Sequence, residues 1–216
     1  MKKIFIATLA TLSIFLVQTQ VKSQPFTLLK DINTNPGANG GNSDPSYLIN
    51  FNGTLYFSAD SRNMGIFPPY REVFKTDGTS AGTVILRDIG QNSPGNPTGL
   101  TVFNGALYFA VNDNMHGYEL WKSDGTDAGT VMVKDINPSG SSYPQSLAAL
   151  GGNIFFAASN GSNGTELWKS NGTSAGTVLV KDINPGAASG YPTEKEAMRE
   201  PSAESSLSIQ LNGRTV

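Results

Sequence analysis

Three glutamates at equal intervals are the residues of this sequence best suited to acid–base chemistry. Glu72, Glu119 and Glu166 stand 47 residues apart, and every other glutamate lies in the last 24 residues. Two carboxylates a few ångströms apart with different pKa values form the machinery of a glycosidase. An acid that recurs once per repeat is more simply a structural residue, paired with a lysine on a neighbouring strand. We therefore predict that these glutamates support the fold and that the chain is not an enzyme.

Composition limits the other kinds of catalytic and cofactor site. The chain of 216 residues has no Cys and a single His, His116. A thiolate nucleophile, an iron–sulfur cluster, a cysteine zinc site and a site of two imidazoles are therefore excluded. His116 stands in a polar loop beside Gly117, where an ordinary surface residue is expected. The sequence predicts no cofactor.

Three short polar side chains precede a Gly-Thr pair at equivalent positions. Asp77, Asp124 and Asn171 are each suited to capping a tight turn, with the following glycine at positive φ. The alternative is a calcium site, although the EF-hand order of acids is absent. Its best candidate is the run 112–114, Asn-Asp-Asn, ahead of Glu119. Turns are the preferred interpretation, and no metal site is predicted.

Two tryptophans occupy one position of consecutive copies. Trp121 and Trp168 could stack on sugar rings at a glycan site. Their equal spacing indicates instead a layer of core residues between neighbouring units. In the first copy, Phe74 stands at the same position.

Four triplets match the acceptor pattern for N-glycosylation. One of them occupies the position that Asp-Gly-Thr holds in the preceding copy, so the acceptor is interchangeable with a residue that cannot be glycosylated this way. The triplets are therefore interpreted as turn sequences. They begin at Asn52, Asn160, Asn163 and Asn171.

These side chains all belong to a repeat with a period of 47 residues. ELWKSDGT at 119–126 returns as ELWKSNGT at 166–173, and EVFKTDGT at 72–79 is a weaker copy. The segments LRDI, VKDI and VKDI share the interval through Asp88, Asp135 and Asp182. The first copy carries two insertions of five residues, near 39–44 and 62–70. A period of this length indicates a propeller, a solenoid or an array.

Each copy contains four short segments typical of β-strands. In the third copy they are 145–150, 153–158, 165–169 and 177–183, rich in aromatic and β-branched residues and bounded by turn pairs. Apolar runs such as LYFAV at 107–111 and VMV at 131–133 predict strands covered on both faces. We predict an all-β fold, a β-propeller-like array of about three four-stranded units, with a β-solenoid as the alternative.

The two ends of the chain differ from the repeats. Lys2 and Lys3 precede an apolar run at 4–17 that is too short for a stable membrane span and is typical of a cleaved export signal. We divide the chain into a signal peptide at 1–23, repeats at 24–192 and a divergent segment at 193–216. Removing the signal leaves 12 basic and 17 acidic residues. A chain this acidic is not expected to bind nucleic acid.

The units resemble the ELWxxDGT repeat, a bacterial family named for the residues that stand here at 119–126. The GTxLVKDI pattern at 176–183 adds to the resemblance, which covers 26–192. It departs from the family at Val73 and Phe74 and at Asn171. The resemblance implies a propeller-like fold and an exported or surface protein, usually with a longer array, and it supplies no catalytic residues.

The sequence therefore predicts a secreted or surface-displayed module that binds or provides structure. Its ligand would be a protein or a glycan at the cell surface. The alternative is a carbohydrate-active enzyme with acids near a propeller axis. Three copies alone make fewer blades than the four to eight usual in propellers. An open array would expose apolar faces, so self-association or unfolding of low cooperativity is expected.

Overall fold

The computed structural model describes residues 28–32, 42–61, 70–91, 93–190, 210–211 and 214–215. The predicted signal peptide at 1–23 lies outside these residues. So do most of the predicted insertion at 62–70 and most of the divergent segment at 193–216.

Twelve strands form three four-stranded sheets, and each sheet is an antiparallel meander in chain order. The first sheet contains β1 (Ser46–Phe51), β2 (Thr54–Ser61), β3 (Tyr70–Thr76) and β4 (Val84–Ile85). The second contains β5 (Thr98–Phe103), β6 (Ala106–Asn112), β7 (Tyr118–Ser123) and β8 (Val131–Lys134). The third contains β9 (Gln145–Leu150), β10 (Asn153–Ser159), β11 (Thr165–Ser170) and β12 (Val178–Lys181).

The prediction of an all-β chain with three four-stranded units is confirmed. The described residues include no helix, the three sheets do not close into a barrel, and no described segment is a long apolar helix of membrane-spanning length. A separate hairpin pairs β13 (Gln210–Leu211) with β14 (Arg214–Thr215).

A two-residue turn joins the first two strands of every unit and fixes the register in which they pair. In the second unit, Asn104 and Gly105 have φ angles of 48° and 71°, the left-handed conformation that a tight hairpin requires at both central residues. Phe103 then pairs with Ala106, and Val102 with Leu107. Leu211 and Arg214 pair in the same way across residues 212–213, so β13 and β14 repeat this register.

The sheets stack face to face, and apolar clusters fill the space between consecutive sheets. One cluster joins the first sheet, through Tyr56 and Val73, to Phe109 and Trp121 of the second. The other joins Tyr108 and Leu120 of the second sheet to Phe156 and Trp168 of the third, among others. The first strands also adjoin, since β5 contacts both β1 and β9. Each sheet therefore depends on its neighbours for its core.

The strands of one sheet differ in how far both faces are covered. β6 is buried at five consecutive residues, as its continuous apolar sequence predicts. The same prediction for the run at 131–133 is wrong, because Val131 is exposed while Val133 is buried. β8 is the last strand of its sheet. Its Met132 is partly buried against the cluster between the first two sheets and Val133 lies in the cluster toward the third, whereas Val131 is exposed.

Candidate functional site: the repeated acids, aromatics and turns

Glu119 is fully buried and is held by the loop that leads to the next sheet. Its Oε2 atom accepts hydrogen bonds from the Ile136 amide at 2.9 Å and the Ser142 hydroxyl at 2.6 Å. Its Oε1 atom accepts one from the Ser142 amide at 3.0 Å. Burial raises the pKa of Glu119, and these hydrogen bonds only partly offset that effect. The carboxylate connects the start of β7 to the crossover into the third sheet.

Glu166 makes the equivalent connection one unit later. Its two oxygens accept from the amides of Ile183 at 2.9 Å and Gly190 at 2.8 Å. No ion pair between glutamate and lysine is formed by the described residues. The predicted pairing with lysine is therefore wrong, and the structural role of the acids rests on backbone amides.

Glu72 has the same position and burial but lacks the bonding. Both of its carboxylate oxygens are buried without a hydrogen bond of good geometry, although amides of Ile89, Gly90 and Gly95 lie nearby. Gly95 stands where the second unit has Ser142, so no hydroxyl is present. Burial, with the charge of Asp88 as a second cause, raises the pKa of Glu72 to about 8. At neutral pH this carboxyl is therefore mostly protonated.

The lysines that follow these glutamates reach across to the next sheet. Lys75 Nζ donates to the Gly125 carbonyl and Lys122 Nζ to the Gly172 carbonyl, each at 2.8 Å. Further bridges come from the ends of the first two units, where Arg87 donates to the Thr130 carbonyl at 2.8 Å and Lys134 Nζ to the Thr177 carbonyl at 2.9 Å. The repeated basic residues thus join neighbouring sheets through backbone carbonyls, which sequence reasoning did not anticipate.

The Asx-Gly-Thr triplets are tight turns, as predicted. In the second unit, Asp124 Oδ1 accepts from the Thr126 amide at 2.9 Å and from its hydroxyl at 2.7 Å. Asn171 makes the same two bonds to Thr173. An Asn and an Asp are interchangeable here because only one side-chain oxygen is used.

The glycine of this turn has two requirements. Gly125 has a φ of 94°, a backbone conformation that residues other than glycine rarely adopt. A Cβ atom on Gly125 would also lie 2.5 Å from the Tyr56 hydroxyl of the preceding sheet. The turn is therefore a contact point between sheets.

The calcium candidate at 112–114 does not converge with Glu119. Asp113 accepts from the amides of Met115 and His116, and its Oδ2 atom lies 2.6 Å from His116 Nδ1. Glu119 is occupied by the loop amides described above. Within the described residues, no three acidic or imidazole groups are arranged to hold a metal ion.

The pair of Asp113 and His116 was not foreseen from the sequence. The hydrogen bond to Asp113, with its charge as a second cause, raises the pKa of His116. Burial acts to raise the pKa of Asp113, but the hydrogen bonds from His116 and Met115 outweigh it and the pKa is lowered. The residues at the matching positions of the third unit are Asn160 and Asn163, which bond each other at 2.8 Å. An aspartate three residues before a histidine in a short loop was the only available signal.

The tryptophans are core residues, as predicted. Trp121 and Trp168 pair across strands with Phe109 and Phe156, and each is less than a tenth exposed. Phe74 occupies the same position in the first sheet, opposite Phe57. The indole rings are thus unavailable for stacking on a sugar at the surface.

Comparison with models of known protein families, with curated proteins and with solved structures finds no match for this chain.

Proposed function

We propose that this chain is an exported, non-catalytic repeat module that binds a protein or glycan at the cell surface or provides structure there. Its sheets are arranged as the blades of a β-propeller-like array of the ELWxxDGT repeat type. The apolar run at 4–17 and the resemblance of the repeats support this proposal. So do the face-to-face stacking of the sheets and the adjoining of their first strands.

The non-catalytic assignment rests on one observation: the repeated glutamates and tryptophans make structural contacts within the array. Glu119 and Glu166 are saturated by loop amides, and Trp121 and Trp168 lie between sheets. The side chains that recur in every unit are thus used to build the array. Turns and loops that repeat along one edge then present many similar surfaces, which suits binding through several weak contacts.

A carbohydrate-active enzyme is the second candidate, and one observation favours it. Glu72 has a carboxyl with a pKa of about 8 and a second acid, Asp88, close enough to contribute to that shift. A protonated carboxyl beside a second acid is the arrangement of a general acid and its partner. Glu72 is only 2% exposed, however, so a sugar would need the loop after β4 to move.

The purified protein would be tested on an array of glycans and on intact cells, and for hydrolysis of soluble polysaccharides. We expect binding without hydrolysis. Glu72→Gln should leave the binding unchanged, whereas a hydrolytic activity that this substitution abolishes would establish the enzyme instead.

Trp121→Ala tests the assignment of the aromatic residues. Loss of a large buried ring at a sheet interface should cost about 3 to 5 kcal/mol of stability, measured by denaturant titration. An unchanged unfolding curve together with loss of glycan binding would overturn the core assignment and favour a sugar-stacking role.

A further inference from the structure

Every interface between two sheets uses the same two sets of positions. The face that a sheet presents to the sheet after it is here named the tail face, and in the second sheet it consists of Phe103, Tyr108, Leu120, Val133 and Ile136. The face presented to the sheet before it is named the head face. In the second sheet it consists of Leu100, Leu107, Phe109, Val111 and Trp121. Within the part of the chain that the structure describes, one tail face and one head face have no partner sheet.

The unpartnered tail face belongs to the third sheet. Leu150 and Val180 are 41% and 44% exposed, whereas the same positions of the second sheet, Phe103 and Val133, are 8% and 6% exposed. Phe155 and Ile183 are half-buried, and Leu167, the fifth residue of this face, is 8% exposed. This face is apolar, like the covered tail faces of the first and second sheets.

The unpartnered head face belongs to the first sheet, and only half of it is open. Leu48 and Leu55 are 61% and 37% exposed, whereas Leu100 and Leu107 are 8% and 0% exposed in the second sheet. The other half, Phe57 and Phe74, is buried and packs against Ile32.

Residues 28–32 cover this half as the last strand of a preceding unit would. Their sequence, Leu-Leu-Lys-Asp-Ile, differs in one residue from Leu-Val-Lys-Asp-Ile at 179–183. Lys30 Nζ donates to the Thr83 carbonyl at 2.7 Å, as Lys134 Nζ does to the Thr177 carbonyl at 2.9 Å. The segment 28–32 therefore occupies the place that 179–183 of another molecule would fill.

Hydrogen-bonding groups at the two faces are complementary as well. Lys169 and Lys181 stand at the positions of the lysines that bridge sheets, and within the described residues neither has an acceptor. On the head side, the Gly78 carbonyl stands at the position of the Gly125 and Gly172 carbonyls, which each accept from a lysine. No lysine among the described residues reaches it.

We propose that the tail face of one copy of this chain docks on the head face of a second copy. Residues 179–183 of the first copy displace residues 28–32 of the second. Leu150 of the first copy packs on Leu48 and Leu55, the open half of the head face of the second. The contact is head-to-tail, so it generates closed rings or open filaments. Because 28–32 is tethered beside its own head face, it competes at high effective concentration and keeps the association weak.

This association goes beyond the proposed function, because two copies of the chain bind each other without an external ligand. Sedimentation of the purified protein from micromolar to millimolar concentration measures the association. Ile32→Asp weakens the competing segment and should lower the dissociation constant at least about tenfold. Lys30→Ala removes only the bond to Thr83 and should act in the same direction with a smaller effect. Circular dichroism and thermal unfolding check that the variants remain folded.

Blocking variants identify the faces. Val180→Glu on the tail face should abolish association in the Ile32→Asp background. Val178→Glu is the matched control, because this residue lies on the same strand and its counterparts Val84 and Val131 are exposed in every unit. It should leave the dissociation constant unchanged.

A mixing experiment tests that the occupant is a second copy. Chains with Ile32→Asp and Val180→Glu have only a usable head face, and chains with Leu55→Glu have only a usable tail face. Each should be monomeric alone, and the mixture should form 1:1 dimers and nothing larger. A monomeric mixture, or association of Ile32→Asp that Val180→Glu does not reduce, would overturn the proposal.

Discussion

The second sheet has a neighbouring sheet on both of its faces, whereas the first and third sheets have one each. Residues at one repeat position are therefore found in two environments. Leu107 of the second sheet is fully buried, while Leu55 at the same position of the first sheet is 37% exposed. Position within the array, and not residue type, therefore decides what a repeated side chain contributes.

Polar residues follow the same rule. Lys122 of the second sheet has an acceptor on the third, while Lys169 of the third sheet has none among the described residues. Glu119 is bonded by a complete loop, while Glu72 lies beside a loop with glycine in place of serine. Paired substitutions of an interior residue and its counterpart in an end unit measure these differences directly.

The largest difference is expected between the two leucines. Leu107→Ala should cost about 2 to 5 kcal/mol, because it removes a fully buried side chain from the interface between sheets. Leu55→Ala should cost less than about 1 kcal/mol, because the side chain is partly exposed. Denaturant titration of both variants measures the two values, and equal costs would show that the head face of the first sheet is covered in solution.

Replacing Glu72 or Glu119 by glutamine should change the free energy of unfolding in opposite directions. The pKa of Glu72 is raised in the folded state to about 8, so the folded protein binds the extra proton between pH 4.5 and 8 and loses stability as the pH rises through this range. Glu72→Gln should remove this loss and gain about 2 to 4 kcal/mol at pH 8 to 9. Its control is Glu119→Gln, which leaves a loop amide facing an NH₂ group and should cost about 1 to 3 kcal/mol.

Unfolding titrations at pH 5 and pH 8.5 separate these outcomes. If Glu72→Gln destabilises the protein at both pH values, the loop amides hydrogen-bond the ionised carboxylate in solution, and the contrast with Glu119 disappears.

The lysines should give a smaller difference. Lys122→Met keeps the aliphatic stem but loses the hydrogen bond to the Gly172 carbonyl, which should cost about 1 to 2 kcal/mol. Lys169→Met changes a half-buried lysine that has no acceptor among the described residues, and the cost should stay within about 0.5 kcal/mol. Thermal unfolding of the pair at one protein concentration makes the comparison. A cost at Lys169 that grows with protein concentration would instead support docking of a second copy.

Removal of calcium is expected to have no effect. The loop of the second unit holds Asp113 where the third has Asn160, so calcium bound there would stabilise one unit and not the other. Saturation at 100 times the dissociation constant would add about 2.7 kcal/mol of stability. Melting curves with and without EGTA should therefore coincide, and a shift of several degrees would restore the calcium interpretation of 112–114.

Much of the fold was predictable because its signals are local. The Asn-Gly and Asp-Gly turns and the short segments rich in aromatic and β-branched residues each depend on a few consecutive residues, and the 47-residue period repeats them. The structure has a strand or a turn at each of these places. The position of Trp121 between sheets followed from its recurrence. The prediction for β8 failed because an apolar run does not tell whether a strand is the last of its sheet.

The roles of the polar residues were not predictable to the same extent. The partners of Glu119 are amides 17 and 23 residues later, and the partner of Lys122 is a carbonyl 50 residues away. Every residue carries an amide and a carbonyl, so the sequence gives no sign of which ones are brought to a side chain. Pairing glutamate with lysine was a reasonable expectation from charge alone, and it was wrong for this reason.

The three β units, the turns within each unit and the burial of the aromatic residues could all be read from the order of the amino acids. Short-range backbone preferences and the period of apolar residues are sufficient for that. The tertiary structure alone decided which of three identical-looking glutamates has a raised pKa and which lysines bridge sheets. It also decided which apolar faces lack a partner, because those properties depend on atoms that only the stacking of whole sheets brings together.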